Sequence, residues 1–187
     1  MIKYVPKLTS VMMEEIPDRV TLAVEISNCR GNCVGCHSPF LKQDIGEELT
    51  PEIITALVGD NFGVNCFLFL GEGQDPEALL RLAAHVHTLG LQAAVYSGRS
   101  EVEEVFWDVF DYIKLGPYEA ALGPLNEPTT NQRLYRLLAP DEVPPLGYDT
   151  VYHGTSTASG ASSAVSSGPR AFLDITPRFW RRGVEQR

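Results

Sequence analysis

The chain has 187 residues, a mass of 20.6 kDa, 44% apolar and 21% charged side chains, the make-up of one ordinary globular domain. That composition excludes a wholly disordered chain and a fibrous repeat, and no apolar run approaches the roughly 20 residues a bilayer-spanning helix needs. Fifteen basic against 24 acidic residues leave a formal charge of −9, which repels phosphate backbones and argues against nucleic acid as a partner.

In chain order, Lys3 and Lys7 come first, with no apolar segment and cleavage site behind them. A cytoplasmic, reducing compartment is therefore expected, with no membrane association, and clustered cysteines there bind metal or do redox chemistry. Val20–Ile26 reads as a short β-rich strand, and the cysteine-rich run Cys29–His37 follows it directly. Thr50-Pro51-Glu52 combines an N-cap, a proline at the first helical position and an acid in the first turn. Cys66–Leu70 reads as a buried strand. Asp75-Pro76-Glu77 repeats the helix-start signature, and Leu79, Leu82, Ala83, Val86 and Leu89 form a helical stripe ended by Gly90. Ala93–Tyr96 is a third strand, Ser100 with Glu103 a capping box, and Tyr112–Leu115 a fourth strand. Strands alternating with helices over residues 1–138 predict an α/β domain with a mostly parallel sheet and right-handed crossovers.

Beyond 138 the composition changes. A proline-marked connection leads into 154–168, where fourteen of fifteen residues are Gly, Ala, Ser or Thr, so 139–169 is expected to be a linker. The segment 170–187 is again aromatic and basic, with Phe172, Phe179 and Trp180 among five arginines. It docks either on a partner or on the domain's own core.

Each predicted strand ends in polar or glycine-rich sequence: Ser27-Asn28-Cys29, Gly71-Glu72-Gly73, Ser97-Gly98-Arg99 and Gly116-Pro117-Tyr118. In parallel α/β architectures the ligand sits at that edge. The strongest chemical signal is there too, the C-x3-C-x2-C run of Cys29, Cys33 and Cys36. Three thiolates on one tight loop suit a [4Fe–4S] cluster, leaving one iron open to an outside ligand. A structural zinc site with His37 as fourth ligand is the competing reading, although Cys36 and His37 are adjacent and no second ligand pair exists. Cys66, inside a predicted buried strand, reads as a small core residue.

The run Asn28–Phe40, NCRGNCVGCHSPF, resembles the small activating enzymes of class III anaerobic ribonucleotide reductase, within the radical S-adenosylmethionine superfamily. The likeness continues through Glu15–Asp18, Phe69–Gly73 with Asp75-Pro76, Tyr96–Arg99, Asp111–Tyr118 and Thr129–Arg133, covering roughly residues 12–138. It implies an incomplete (β/α) barrel of the radical S-adenosylmethionine type over 1–138. Cys29, Cys33 and Cys36 would hold the cluster, and Gly71, Glu72, Gly73, Ser97 and Arg99 would line the site of S-adenosylmethionine. No catalytic side chain is implied beyond the cluster ligands. The family usually has Gly-Gly-acid after the second strand, where this chain reads Gly71-Glu72-Gly73-Gln74-Asp75, so either Glu72 or Asp75 would meet the cofactor's amine.

The implied chemistry is reductive cleavage of S-adenosylmethionine to a 5′-deoxyadenosyl radical, which takes a hydrogen atom from one glycine of the reductase. The implied partners are the glycyl radical subunit of an anaerobic ribonucleoside-triphosphate reductase and a reduced flavodoxin- or ferredoxin-like electron donor. An activase for another glycyl radical enzyme, or a small radical enzyme acting on a metabolite, is an alternative within the same chemistry. A non-catalytic zinc-binding interaction module is an alternative outside it.

Overall fold

A computed structural model describes residues 1–153 and 169–180. The four strands read from apolar runs are present: β3 (Thr21–Glu25), β5 (Cys66–Leu70), β6 (Gln92–Tyr96) and β7 (Tyr112–Leu115). They lie side by side and parallel, each shifted by its crossover to the next position in the sheet. The helices between them are α1 (Pro51–Asp60), α2 (Pro76–Thr88) and the short α3 (Glu104–Val109). Two helix starts form as their sequence dictates: Thr50 Oγ1 accepts from the Ile53 N–H at 3.4 Å, and Asp75 Oδ1 accepts from the Ala78 N–H at 2.9 Å. Both caps satisfy an N–H that the first helical turn leaves without a partner.

The Ser100–Glu103 capping box does not form. α3 begins only at Glu104, and its N-cap residue, Glu103, makes no side-chain cap. The Glu103 carboxylate is instead drawn to Arg99, 2.6 Å away, and to Arg30 at 3.5 Å. Two full positive charges hold a carboxylate more strongly than a backbone N–H does.

The sheet is larger than the four parallel strands. β2 (Ser10–Met12) joins antiparallel beside β3, and β8 (Arg133–Leu137), β10 (Arg170–Asp174) and β9 (Thr150–His153) extend the other side in that order, all antiparallel to their neighbours. The result is an eight-stranded α/β sheet in which most strands run the same way. Its outer strands, β2 and β9, do not meet, so it is not closed into a barrel. Of the 139–169 stretch, Thr150–His153 is therefore a strand, while 154–168 lies outside the described residues. A small ladder of β1 (Lys3–Tyr4) with β4 (Glu47–Glu48) braces the base of the cysteine loop.

Alternation along the strands gives the sheet two different faces. Leu22, Val24, Phe67, Phe69, Val95 and Ile113 pack in one core with the helices, including Leu79, Leu82, Ala83 and Val86 of the predicted stripe. Ala23, Cys66, Leu68, Ala94, Tyr112 and Leu134 form a second core, to which none of α1, α2 and α3 contributes a residue. Ile16, Ile175, Leu125 and Phe179 cover it from loops and from the one-turn helix α4 (Pro177–Trp180). Among the described residues no helix is long and apolar enough to cross a membrane.

The C-terminal segment is built into this architecture. Phe172 is completely buried, edge-on to Trp107 at 4.8 Å, while Trp107 also stacks on His153 at 3.7 Å. Arg170 Nη1 donates to the Trp107 carbonyl at 2.8 Å, tying β10 to α3. Trp180 Nε1 donates to the Leu125 carbonyl at 3.3 Å, and Arg178 pairs with Asp18 at 2.8 Å. Arg181, Arg182 and Arg187 lie outside the described residues.

Candidate metal centre

Cys29, Cys33 and Cys36 sit on the loop that leaves the C-terminal end of β3. The chain turns there through Asn28, whose φ of +57° is in the left-handed region that asparagine tolerates. The base of the loop is closed by the segment that returns after it. The Asn28 N–H donates to the Gln43 carbonyl and the Cys29 N–H to the Leu41 carbonyl, at 3.2 and 2.9 Å, while Asn28 Nδ2 donates to Asp44 at 2.8 Å. The far side is pinned to the loop after β7 by the Val34 N–H donating to the Tyr118 carbonyl at 3.0 Å.

Each of the three sulfurs accepts one backbone N–H. Gly31 donates to Cys29 Sγ at 3.3 Å, Ser38 to Cys36 Sγ at 3.4 Å, and Tyr118, from 85 positions away, to Cys33 Sγ at 3.2 Å. Such donors stabilise the thiolate over the thiol and, on a bound cluster, raise its reduction potential. The three cysteines act on one another as well. Burial pushes the Cys29 thiol up first, the Gly31 N–H opposes it, and the charges of Cys33, Cys36 and then Glu72 push it further. Metal loading at Cys29 thus has to release a proton. Cys66 is fully buried, and desolvation pushes its thiol up to about 12, so it is an inert core residue.

Two glycines let the loop meet the sheet edge. A Cβ on Gly98 would stand 3.0 Å from Cys33 Sγ and 3.0 Å from the Gly31 Cα, and one on Gly31 would stand 3.1 Å from the Gly98 Cα. The Ser97-Gly98-Arg99 turn after β6 and the cysteine loop therefore touch backbone to backbone. Gly98→Ala is expected to displace Cys33 and to reduce iron bound per chain at least several-fold, with the far-ultraviolet circular dichroism unchanged. Full iron loading of that variant would remove this contact from the site.

Beside the loop is a buried charge network. Glu72, only 3% exposed, accepts from Ser97 Oγ and from Arg99 Nε at 3.2 Å, both on its Oε1. Arg99 Nη2 is 2.8 Å from Oε2, yet no N–H is aimed at that oxygen, which leaves a buried acceptor without a hydrogen bond. Arg99 also pairs with Glu103, and Glu103 with Arg30, the residue after Cys29. The chain Glu72–Arg99–Glu103–Arg30 thus binds the sheet edge to the cysteine loop. Asp75, the other acid considered for a ligand amine, is engaged as the cap of α2. Gly71 and Gly73 flank Glu72 at φ of +116° and +65°, conformations that turn the backbone sharply back over Ile26.

Parallel register sets Glu25, Leu70, Tyr96 and Lys114 in one row across the non-helical face, at the ends of β3, β5, β6 and β7. The Glu25 carboxyl is raised, chiefly by burial, with the charge of His37 opposing that rise and the charge of Glu15 adding to it. Lys114 Nζ lies 5.7 Å above the Tyr96 ring and donates to the Gly116 carbonyl at 3.3 Å. Neither Glu25 nor the Glu103–Arg30 pair stands out in the sequence; alternation along a strand and an acid near a helix start are their only signals. A cavity of about 590 Å³ lies between Met13, Glu15, Asp18, Leu125 and Phe179.

Among the described residues no three His, Cys, Asp or Glu side chains close tightly enough on one point to hold a single metal ion. A [4Fe–4S] cluster asks for a different arrangement, since each thiolate binds its own iron. Three neighbouring thiols that accept N–H bonds, on a glycine-lined loop, fit that group. Compared with family models, with curated proteins and with solved structures, the chain finds no match.

Proposed function

We propose that this chain is a radical S-adenosylmethionine activase, and that it generates the glycyl radical of an anaerobic ribonucleoside-triphosphate reductase. The observation that carries the reading is the cysteine loop itself. Three thiols, each accepting a backbone N–H, leave the C-terminal edge of four parallel strands next to a buried carboxylate, Glu72, paired with Arg99. In this reading the open sheet is the wall of an incomplete (β/α) barrel, and its non-helical face is the interior.

Cys29, Cys33 and Cys36 hold a [4Fe–4S] cluster. When bound there, the cluster would supply the single electron for reductive cleavage of S-adenosylmethionine to methionine and a 5′-deoxyadenosyl radical, which would take the partner's glycine hydrogen. The residues of this chain do the positioning. Glu72 accepts from the cofactor's ammonium, while Ser97 and Arg99 hold that carboxylate in position. Gly71, Gly73 and Gly98 let backbone approach closely. Arg30 and Glu103 hold the cysteine loop against the sheet edge. A reduced flavodoxin- or ferredoxin-like protein in the cytoplasm supplies the electron.

Anaerobically reconstituted protein tests this reading before any turnover. It should be brown, absorb broadly at roughly 400 nm and hold about four irons with matching sulfide. A colourless protein with a single zinc would overturn the proposal in favour of a zinc-binding module.

A further inference from the structure

The loop after β7 reaches the Cys33 sulfur through one peptide group, the one between Pro117 and Tyr118. Its N–H donates to Cys33 Sγ at 3.2 Å. Its carbonyl accepts from Asn131 Nδ2 at 3.0 Å. The same Nδ2 donates to Glu119 Oε1 at 3.2 Å, so both of its hydrogens have acceptors. Turned over, the side-chain amide would set its oxygen against a carbonyl and a carboxylate, so only this orientation suits its neighbours. Asn131 Oδ1 is buried and, among the described residues, accepts no hydrogen bond. The bare Oδ1 carries a desolvation cost, which the two bonds made by Nδ2 must offset.

The stretch that carries Asn131 is itself anchored. Gln132, 4% exposed, donates through Nε2 to the Gly116 carbonyl at 3.3 Å, and its N–H goes to Thr130 Oγ1 at 3.2 Å. A Cβ on Gly116 would stand 3.0 Å from the Gln132 Cα and 3.1 Å from the Asn131 carbonyl oxygen, so the two backbones touch. Successive carbonyls, those of Gly116 and Pro117, are thus held by successive amide side chains. Because a peptide unit is planar, holding the Pro117 oxygen fixes where the Tyr118 N–H points. The bond accepted by that oxygen also polarises the unit and strengthens its N–H as a donor.

We propose that Asn131 is a positioning residue, which aims the Tyr118 N–H at Cys33 and so raises the reduction potential of a cluster held on the cysteine loop. The proposal rests on the reading above, in which Cys33 is a ligand of a [4Fe–4S] cluster. An N–H aimed at a ligand sulfur stabilises the charge that reduction adds. Asn131 acts on the cluster through the backbone, 13 positions after the residue that makes the contact.

Two measurements on the full chain test this, one without metal and one with the cluster loaded. Asn131→Leu keeps the volume and removes the donor, Asn131→Ala removes both, and Asn131→Gln keeps an amide. In the metal-free, anaerobic protein the first two should speed hydrogen exchange at the Tyr118 amide by roughly tenfold or more. The Leu134 amide, which donates to Thr176 Oγ1, should exchange as before. In the reconstituted protein the ratio of reduced to oxidised cluster at a fixed poise should fall by up to roughly tenfold, about 59 mV for one electron. Iron per chain should not change, and Asn131→Gln should restore part of both effects. Either effect without the other would overturn the assignment, since both must run through one peptide. Lower thermal stability or iron content, with the wild-type potential in the loaded fraction, would also overturn it and make Asn131 purely structural. A wild-type Tyr118 amide that exchanges as fast as a free one would overturn it without any variant. All these outcomes leave the activase reading standing, whereas wild-type protein that loads no cluster would overturn both.

Discussion

Replacing Cys29, Cys33 or Cys36 with alanine, one at a time, is expected to abolish cluster loading and cleavage of S-adenosylmethionine, while Cys66→Ala leaves both in place. The three loop cysteines share one backbone frame, so loss of one sulfur removes a ligand that no neighbouring side chain replaces. Among the described residues the remaining cysteine, Cys66, is on the buried sheet and cannot reach the loop. Its thiol is held protonated by burial, and its replacement removes only one core atom, at a cost of roughly 1 kcal/mol. Iron and sulfide analysis of the four variants checks this. A Cys66→Ala protein without a cluster beside a Cys29→Ala protein with one would contradict the assignment.

Deleting residues 169–187 is expected to destabilise the domain severely, even though the segment follows a stretch of almost no apolar residues. β10 stands between β8 and β9, so its removal breaks two ladders and leaves β9 without a neighbour in the sheet. It also uncovers Trp107 and empties the space filled by Phe172. Phe172→Ala alone should cost about 3–5 kcal/mol, the usual range for a large aromatic removed from a core. Urea denaturation of the point variant and thermal unfolding of the deletion measure both effects. An unchanged melting temperature with weakened reductase binding would instead make the segment an interface anchor.

Local chemistry made the central strands and the first two helices legible. Cys66–Leu70 is too short and too apolar for anything but a buried strand, and proline after Thr50 or Asp75 starts a helix with few alternatives. The antiparallel extension was not legible in this way. Thr150–His153 is four residues beside a low-complexity stretch, and what makes it a strand is pairing with Arg170–Asp174 far along the chain. Non-local pairing leaves no periodicity in either segment alone. The missed cap at Ser100 has a related cause, because Glu103 finds Arg99 and Arg30 only after the loops have converged.

The same division holds at the site. The cysteines, the glycines and Glu72 were visible as unusual residues at strand ends. The Tyr118 N–H on Cys33 was not, since every residue but proline carries that donor and only the fold aims it. Lys114 stood within the run Asp111–Tyr118 that carries the family resemblance, but its residue type alone gave it no role. The parallel register of β6 and β7 turns it inward over Tyr96.

The most direct measurement of the central claim is anaerobic reduction of the reconstituted protein with S-adenosylmethionine, followed by addition of the glycyl radical subunit of an anaerobic ribonucleotide reductase. The account predicts release of 5′-deoxyadenosine and a doublet glycyl radical signal in the electron paramagnetic resonance spectrum, both lost in Cys33→Ala. A fully loaded, reducible cluster that releases no 5′-deoxyadenosine and yields no radical would contradict it.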